Sequence, residues 1–176
     1  MSSIGLVHLY TGDGKGKTTA AIGLAIRAAG SGKKVVFTQF MKGQDTSELR
    51  SLSLIDNIKV IRNKENLGWF KKGDPELAMA FTGLHNETLD KIKKLIETHE
   101  CDVLIMDEIT YPYNYSIIDK NALEKLIVEK PKYLEIILTG RNADSFFTEN
   151  SDYITEMKKI KHPYDKGIMA REGIEF

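Results

Sequence analysis

The sequence predicts an α/β domain with a mostly parallel six-stranded sheet and helices on both faces. Short apolar runs alternate with helical patterns along the chain, as in βαβ units. The runs at residues 35–40 and 103–106 are almost continuously apolar, which is typical of strands buried on both faces of a parallel sheet. A chain of 176 residues suits one domain better than two, so residues 1–176 are predicted to form a single domain.

The predicted elements follow in a simple order. Strands are predicted over residues 4–10, 35–40, 59–62, 103–106, 135–139 and 153–160. The first helix is predicted to begin near Gly16. The longest begins at Pro75, which suits a first helical position, after Asp74, which can cap the N-terminus. A shorter helix is predicted over residues 120–129 and is ended by Pro131. In such sheets, ligands bind beyond the carboxyl ends of the strands.

A glycine-rich motif, TGDGKGKTT, occupies residues 11–19 between the first predicted strand and the first helix. Such a loop wraps backbone N–H groups around phosphates, and the helix N-terminus adds a partial positive charge. Lys17 supplies a full charge, and the Thr18 hydroxyl can hold Mg²⁺. The motif therefore favours a P-loop NTPase-like (RecA-like) fold over the alternative of a glycine-rich turn with a solvated lysine. The residues predicted to bind ATP are Gly12, Asp13, Gly14, Lys15, Gly16, Lys17, Thr18 and Thr19.

The loop departs from the standard pattern in length and in charge. That pattern would place its first glycine at position 11, where this chain has Thr11, so the loop is one residue tighter. Asp13 adds a carboxylate among the phosphates and would repel them. We therefore expect Asp13 to turn outward, to cap the loop or to orient metal-bound water.

An acidic pair, Asp107 and Glu108, directly follows the buried strand at residues 103–106. Carboxylates at this place in a P-loop protein are expected to face the magnesium ion and its waters. The alternative is that Asp107 only caps the next turn. The next predicted strand is followed by Arg141 in the sequence Thr139-Gly140-Arg141. Arg141 either neutralises phosphate charge or forms a structural salt bridge.

Two groups of aromatic residues lie outside the predicted strands. Trp69 and Phe70 stand in a glycine-flanked, lysine-rich loop, and Tyr111, Tyr113 and Tyr115 alternate after the acidic pair. Core packing and a rim of half-buried tyrosines are the simpler interpretations. The glycine-flanked Trp-Phe pair is also typical of a mobile lid with a flat apolar surface. Together the two groups indicate a second ligand that is large, flat and partly apolar.

Composition excludes several classes of partner. Lysine plus arginine and aspartate plus glutamate number 25 each, so no overall field attracts nucleic acid. Cys101 is the only cysteine, which excludes an intrachain disulfide. The sequence shows no basic-then-apolar leader and no apolar run of membrane-spanning length. We expect a cytoplasmic protein with no nucleic-acid or membrane partner.

Several stretches resemble the P-loop ATP:corrinoid (cob(I)alamin) adenosyltransferases. They are YTGDGKGKTTAAIGLAIRAAGSGKKV, VVFTQFMKG, MDEITY, LTGR and KKIKHPYDKGIMAREGIEF, and the first and last are the most specific. The resemblance covers nearly the whole chain. The family often has asparagine where this chain has Asp13. Some members cover the active site with a long N-terminal extension, and with ten residues before Thr11 we expect this cover to be absent or replaced.

The resemblance implies an enzyme that transfers the 5′-deoxyadenosyl group of ATP to the Co(I) centre of a corrinoid, either cobalamin or a precursor. Tripolyphosphate is released, and the product serves adenosylcobalamin biosynthesis or salvage. By motif, Lys17 balances the leaving-group charge, Thr18 and Glu108 hold Mg²⁺, and Asp107 supports them; Lys17, Thr18 and Glu108 are thus the implied catalytic residues.

The resemblance also implies partners. Trp69 and Phe70 are the candidates for contacting the corrinoid and excluding water beneath its ring. A flavodoxin-like reductase would supply electrons, and a homodimer is implied.

Two other functions stay open at this stage. One is a P-loop kinase or ATPase that makes ADP, and the other is a non-catalytic binding module switched by nucleotide. The loop spacing and the lack of a clear arginine-rich lid disfavour a kinase. The sequence by itself leaves the switch open.

Overall fold

A computed structural model of the protein describes residues 4–41, 43, 46–63, 65, 67–68 and 70–175. The strands are β1 (Val7–Thr11), β2 (Val35–Gln39), β3 (Ile58–Ile61), β4 (Val103–Asp107), β5 (Glu135–Thr139) and β6 (Tyr153–Glu156). They form one six-stranded sheet in the order β3-β2-β4-β5-β1-β6. Every strand pair within the described residues is parallel. The predicted α/β fold with a parallel sheet is confirmed.

Helices cover both faces of this sheet. They are α1 (Lys17–Gly30), α2 (Ser47–Leu52), α3 (Pro75–Glu97), α4 (Thr110–Asn114), α5 (Lys120–Val128) and α6 (Ser145–Glu149), followed by a 3₁₀ turn at Pro163–Lys166. Among the described residues, no helix combines the length and apolar character needed to cross a membrane.

The core is divided by the sheet into two layers, because successive strand residues point to opposite faces. On one face, alanines of α1 pack against Val35, Phe37, Val103, Ile105 and Ile137. On the other face, apolar residues of α3 and α5 pack against Val36, Leu104, Met106, Ile136 and Leu138. Small side chains let α1 lie close to the sheet, and α1 begins directly after the glycine-rich motif. This packing therefore holds one edge of the predicted phosphate site against the sheet.

The longest helix begins as the sequence predicts. Pro75 is its first residue, and the Asp74 carboxylate accepts a hydrogen bond of 3.0 Å from the backbone N–H of Leu77. This bond satisfies one of the N–H groups that a helix start leaves without an intrahelical partner.

Two strand boundaries differ from the prediction by three or four residues, and the others agree to within one residue. β1 begins at Val7 and not at residue 4, and β6 ends at Glu156 and not at residue 160. β6 pairs with β1, whose ladder ends at Thr11, where the chain turns at Gly12 with a φ of 97°. Beyond Glu156 the chain therefore lies against a loop and not against a strand.

The strand order places the ends of three strands side by side. β5 lies between β1 and β4. The glycine motif follows β1, the acidic pair closes β4, and Thr139 ends β5 between them. Because the strands are parallel, all three ends lie at the same edge of the sheet, where ligands bind in folds of this class.

Candidate active site

The glycine loop, residues 12–16, is shaped by contact with the segment that follows β6. The N–H of Gly14 donates to the Met157 carbonyl oxygen at 2.6 Å, and the N–H of Met157 donates to the Thr11 oxygen at 2.8 Å. A Cβ atom on Gly12 or on Gly14 would lie 2.5 Å from the Met157 oxygen. Glycine is therefore required at both positions by the close approach of another backbone.

The Asp13 carboxylate is bonded to the same C-terminal segment. Its Oδ1 accepts a hydrogen bond of 3.1 Å from the backbone N–H of Lys159. This bond lowers the pKa of Asp13, with smaller contributions from the charges of Lys159 and Arg141. The Asp13 carboxylate thus turns towards the C-terminal segment and ties the glycine loop to it.

Replacing Asp13 is expected to loosen this tie selectively. Asp13→Ala removes the acceptor, so amide hydrogen exchange around Lys159 should become several-fold faster. Asp13→Asn keeps a carbonyl oxygen that accepts the same bond, and should exchange at the wild-type rate. Hydrogen-exchange mass spectrometry of peptides covering residues 155–162 measures both. Equal exchange in Asp13→Ala and wild type would contradict the tie.

Lys17 is buried inside the curl of the loop. It is only 6% exposed, and its Nζ donates to the carbonyl oxygens of Gly12 and Gly14 at 2.7 Å each. Burial lowers the pKa of Lys17, and the charge of Arg141 adds to this, whereas Glu108, Asp13 and Asp107 oppose it. The loop thus holds a cation at its centre, as the motif predicts.

The acidic pair and the first turn of α1 meet across the sheet edge. Asp107 is fully buried, and its Oδ1 accepts hydrogen bonds from the Thr18 hydroxyl at 2.9 Å and the Thr139 hydroxyl at 2.7 Å. Glu108 follows with a φ of 63°, and its backbone N–H donates to the hydroxyl oxygen of Thr139 at 2.9 Å. The structure thereby brings Lys17, Thr18, Asp107 and Glu108 into one region.

These groups fit a magnesium ion held together with phosphates. Thr18, Asp107 and Glu108 carry side-chain oxygens, the ligand atoms that Mg²⁺ prefers, and Lys17 supplies a positive charge for the phosphates. Because the Thr18 hydroxyl gives its hydrogen to Asp107, its oxygen lone pairs are available for a cation. The described residues contain no group of three or more His, Cys, Asp or Glu side chains suited to a metal. Mg²⁺ here would therefore complete its shell with phosphate oxygens and water.

A cleft of about 420 Å³ opens beside the glycine loop. Its lining residues are Asp13, Arg141, Lys159, His162, Tyr164 and Asp165. Arg141 follows the end of β5 and is exposed, so its guanidinium lines this cleft next to the loop. This position agrees with the interpretation that it neutralises phosphate charge.

A row of aromatic rings extends from the acidic pair. The contacts run from Tyr111 to Tyr115, Phe70, Phe81, His85 and Phe40, with ring centroids 5.1–6.3 Å apart. Burial and the charge of Glu108 raise the pKa of Tyr111. Trp69, the other predicted corrinoid contact, lies outside the described residues. Phe70 therefore belongs to an aromatic row that begins beside Glu108. Tyr111, Tyr115 and Phe70 are exposed or half-buried, whereas the other three rings of the row are buried.

The interpretation of the three tyrosines as one rim is wrong for Tyr113. The segment forms helix α4, in which residues four apart share a face, so Tyr111 and Tyr115 point together. Tyr113 points elsewhere: it is buried against Phe146 and Phe147, and its hydroxyl donates to Glu124 at 2.7 Å.

The tail turn, residues 171–175, also approaches the glycine loop. Glu175 accepts from Lys15 at 3.3 Å and pairs with Arg171 at 3.0 Å. The Arg171 guanidinium lowers the pKa of Glu175 to about 2. A cleft of about 320 Å³ separates this turn from α2 and is lined by Thr18 and Thr19. The tail thus lies beside the hydroxyl that faces the acidic pair.

Sequence reasoning missed two contributors to this site. Thr139 is the last residue of the strand predicted over residues 135–139, and a polar residue at the end of a buried strand is itself a signal of a site. Met157 contributes through its backbone, which leaves no pattern of side chains to find.

Comparison with known proteins identifies the family. The family model for "ATP:corrinoid adenosyltransferase BtuR/CobO/CobP" matches residues 3–176. The chain is 31% identical to a corrinoid adenosyltransferase of Escherichia coli K12 over 172 residues, which is 98% of this chain and 86% of that protein. It is 33% identical to a corrinoid adenosyltransferase of Sinorhizobium over 177 residues, with 98% and 80% covered.

A solved structure of the Aeropyrum pernix ORC2 protein in its ADP form matches 91% of this chain and 44% of that chain. Its TM-score is 0.44 and its sequence identity is 17%. The family model, by contrast, spans nearly every residue, including the glycine loop, the acidic pair and the tail. The chain belongs to the ATP:corrinoid adenosyltransferase BtuR/CobO/CobP family.

Proposed function

We propose that this protein transfers the 5′-deoxyadenosyl group of ATP to the Co(I) centre of a corrinoid and releases tripolyphosphate. The observation that carries the proposal is the match of the family model across residues 3–176. The hydrogen bond from Thr18 to Asp107 supports the proposal. It joins the first turn of α1, directly after the glycine loop, to the acidic pair in one site.

In this reaction the glycine loop holds a leaving group. The electron pair of Co(I) attacks C5′ of the ribose and a Co–C bond forms. The C5′–O bond breaks, its electron pair leaves with the tripolyphosphate oxygen, and cobalt is formally oxidised to Co(III). The negative charge on the phosphates increases in this step. Lys17, now held by the Gly12 and Gly14 carbonyls, is placed to stabilise that charge.

We further propose that Thr18 and Glu108 hold Mg²⁺, with Asp107 acting through Thr18. When bound with ATP, the ion neutralises phosphate charge. Asp107 accepts the Thr18 hydrogen at 2.9 Å and so directs the hydroxyl lone pairs away from itself. Arg141, at the neighbouring strand end, adds a second positive charge near the loop.

The corrinoid is proposed to lie against the part of the aromatic row that is not buried, formed by Tyr111, Tyr115 and Phe70. A corrin ring is large and flat, and aromatic side chains offer it an apolar surface that excludes water. Phe70 stands in the middle of the row, between Tyr115 and Phe81, with centroids 5.1 Å and 5.6 Å away. Trp69, its neighbour in sequence, is proposed to share this role.

Some finer points stay predictions from the sequence. They are the single domain over residues 1–176, the homodimer, the flavodoxin-like reductase and the cytoplasmic location. A reductant of some kind is chemically required, because the nucleophile is Co(I) and must be supplied by reduction.

One assay tests the proposed reaction. The protein is incubated without oxygen with Mg²⁺, ATP and chemically reduced cobalamin or cobinamide, and the phosphate product and the corrinoid spectrum are recorded. Tripolyphosphate formed in equal amount with an adenosylated corrinoid is expected. ADP would indicate a kinase or ATPase, and no turnover with either corrinoid would favour a nucleotide-switched binding module. A reaction without corrinoid is the control and should give neither phosphate product.

A further inference from the structure

We propose that Thr139 is a positioning residue for the metal-binding part of this site. Its hydroxyl holds the Asp107 carboxylate and, through it, the Thr18 hydroxyl. The inference rests on the proposed function in assigning Thr18 to the metal. Thr139 is fully buried at the end of β5.

The hydrogen bonds around Thr139 have one consistent direction. The Glu108 N–H donates to the Thr139 oxygen at 2.9 Å, and this contact uses the hydroxyl as an acceptor. Its single hydrogen then goes to Oδ1 of Asp107 at 2.7 Å. The Thr18 hydroxyl donates to the same oxygen at 2.9 Å. A relay therefore connects the Glu108 backbone to Thr18.

This relay limits how the Asp107 carboxylate can turn. The terminal torsion of an aspartate has a broad energy well, so each hydrogen bond to the carboxylate narrows the range of its orientation. Threonine is branched at Cβ and stiff about its first torsion. A second donor from a stiff side chain thus fixes Oδ1 towards Thr18. The Thr18 hydrogen stays pointed at Asp107, and its lone pairs stay directed outward.

Thr139 also supports Glu108 by another route. Glu108 has a φ of 63°, in the left-handed region that a glutamate seldom adopts. The bond from its N–H to the Thr139 oxygen stabilises this backbone conformation. One hydroxyl therefore acts on both acidic residues, on the side chain of Asp107 and on the main chain of Glu108.

The fold leaves Thr139 little freedom to move. It pairs with Tyr10 of β1 in the sheet register, and the preceding Leu138 pairs with Met106 of β4. Just beyond it, the Thr110 hydroxyl donates to the Arg141 carbonyl at 2.8 Å. The turn after β5 is thus interlocked with the turn after β4, and the hydroxyl is held in place from both sides.

The test measures ATP affinity with Mg²⁺ and with EDTA by calorimetry, so it needs no corrinoid. Thr139→Val keeps the side-chain shape and removes the hydroxyl. We expect it to reduce the Mg²⁺-dependent gain in ATP affinity by about tenfold, the lower end of effects of outer-shell residues on metal affinity. Affinity in EDTA should stay near that of the wild type. Thr139→Ser retains the hydroxyl on a less stiff side chain and should restore most of the gain.

Thr38→Val is the matched control. Thr38 is also buried in the sheet, and its hydroxyl donates to the Ile105 carbonyl at 2.8 Å, outside the relay. It should leave the Mg²⁺-dependent gain unchanged. A wild-type gain in Thr139→Val, no rescue by serine, or the same loss in Thr38→Val would overturn the proposal. If Thr139→Val does not fold, Thr139→Ala tests the same loss. If the wild-type protein fails the corrinoid assay while the variants show the expected pattern of ATP affinities, the proposed reaction is refuted and the positioning role of Thr139 is supported.

Discussion

Replacing Lys17 by methionine is expected to slow adenosylation by about a hundredfold to a thousandfold, the usual effect of removing one group that stabilises developing charge. Methionine fills a similar volume but carries no charge. The loop would then face a departing tripolyphosphate without the cation that Gly12 and Gly14 now hold at 2.7 Å. Steady-state turnover with saturating ATP and reduced corrinoid measures the loss, and thermal melting shows whether the variant is folded.

Lys33, which lies beyond the opposite end of α1, provides the control for this experiment. Lys33 lies just beyond α1, whereas Lys17 is its first residue. Lys33→Met removes the same charge from the chain, yet it should retain wild-type turnover. Turnover of Lys17→Met within tenfold of the wild type would contradict the assignment, as would an equal loss in the control.

The Gly140→Ala variant is expected to lose about 3–5 kcal/mol of unfolding free energy, in the range of the most damaging single substitutions. A Cβ atom there would lie 1.9 Å from Oγ1 and 2.9 Å from Cβ of Thr110. The backbone φ of 149° is strained for any other residue. The contact cannot relax by moving Thr110 alone, because its hydroxyl is bonded to the Arg141 carbonyl. Urea denaturation measures the change.

A glycine in open space is the matched comparison. Gly83 lies in α3 with nothing within 4 Å of an added Cβ, so Gly83→Ala should stabilise the protein by about 0.5–1 kcal/mol. The double variant Gly140→Ala, Thr110→Ala should recover part of the loss, because it removes the closest atom. A loss under about 1 kcal/mol in Gly140→Ala would contradict the close packing of these two turns.

Much of the sheet could be predicted because its strands are buried on both faces. β2 and β4 begin with unbroken apolar runs at residues 35–37 and 103–106, which is the pattern expected of strands buried on both faces. The start of α3 was equally clear, since Asp74 and Pro75 act through local chemistry. In contrast, α4 has the sequence TYPYN, which has weak helix propensity, and tertiary contacts decide its conformation. The mistaken environment of Tyr113 follows from that.

The candidate site divides in the same way. The contact of Thr18 with Asp107 could be expected, because strand ends of a parallel sheet meet at one edge. The role of Thr139 could not be expected, because it depends on β5 lying between β1 and β4. Local sequence patterns do not determine the order of strands in a sheet. The tie from Asp13 to Lys159 joins residues 146 positions apart through a backbone N–H, which any residue type but proline would supply.

The order of the strands also has a consequence for how the site is made during synthesis. β1 is the first strand of the chain, yet its two neighbours, β5 and β6, are the last. A ribosome releases the glycine loop early, long before Met157 can close against it. The nucleotide site is therefore among the last parts of the protein to mature. Until then, β1 lacks both of its neighbouring strands, and its edges have to be kept from wrong partners while the rest of the chain is made.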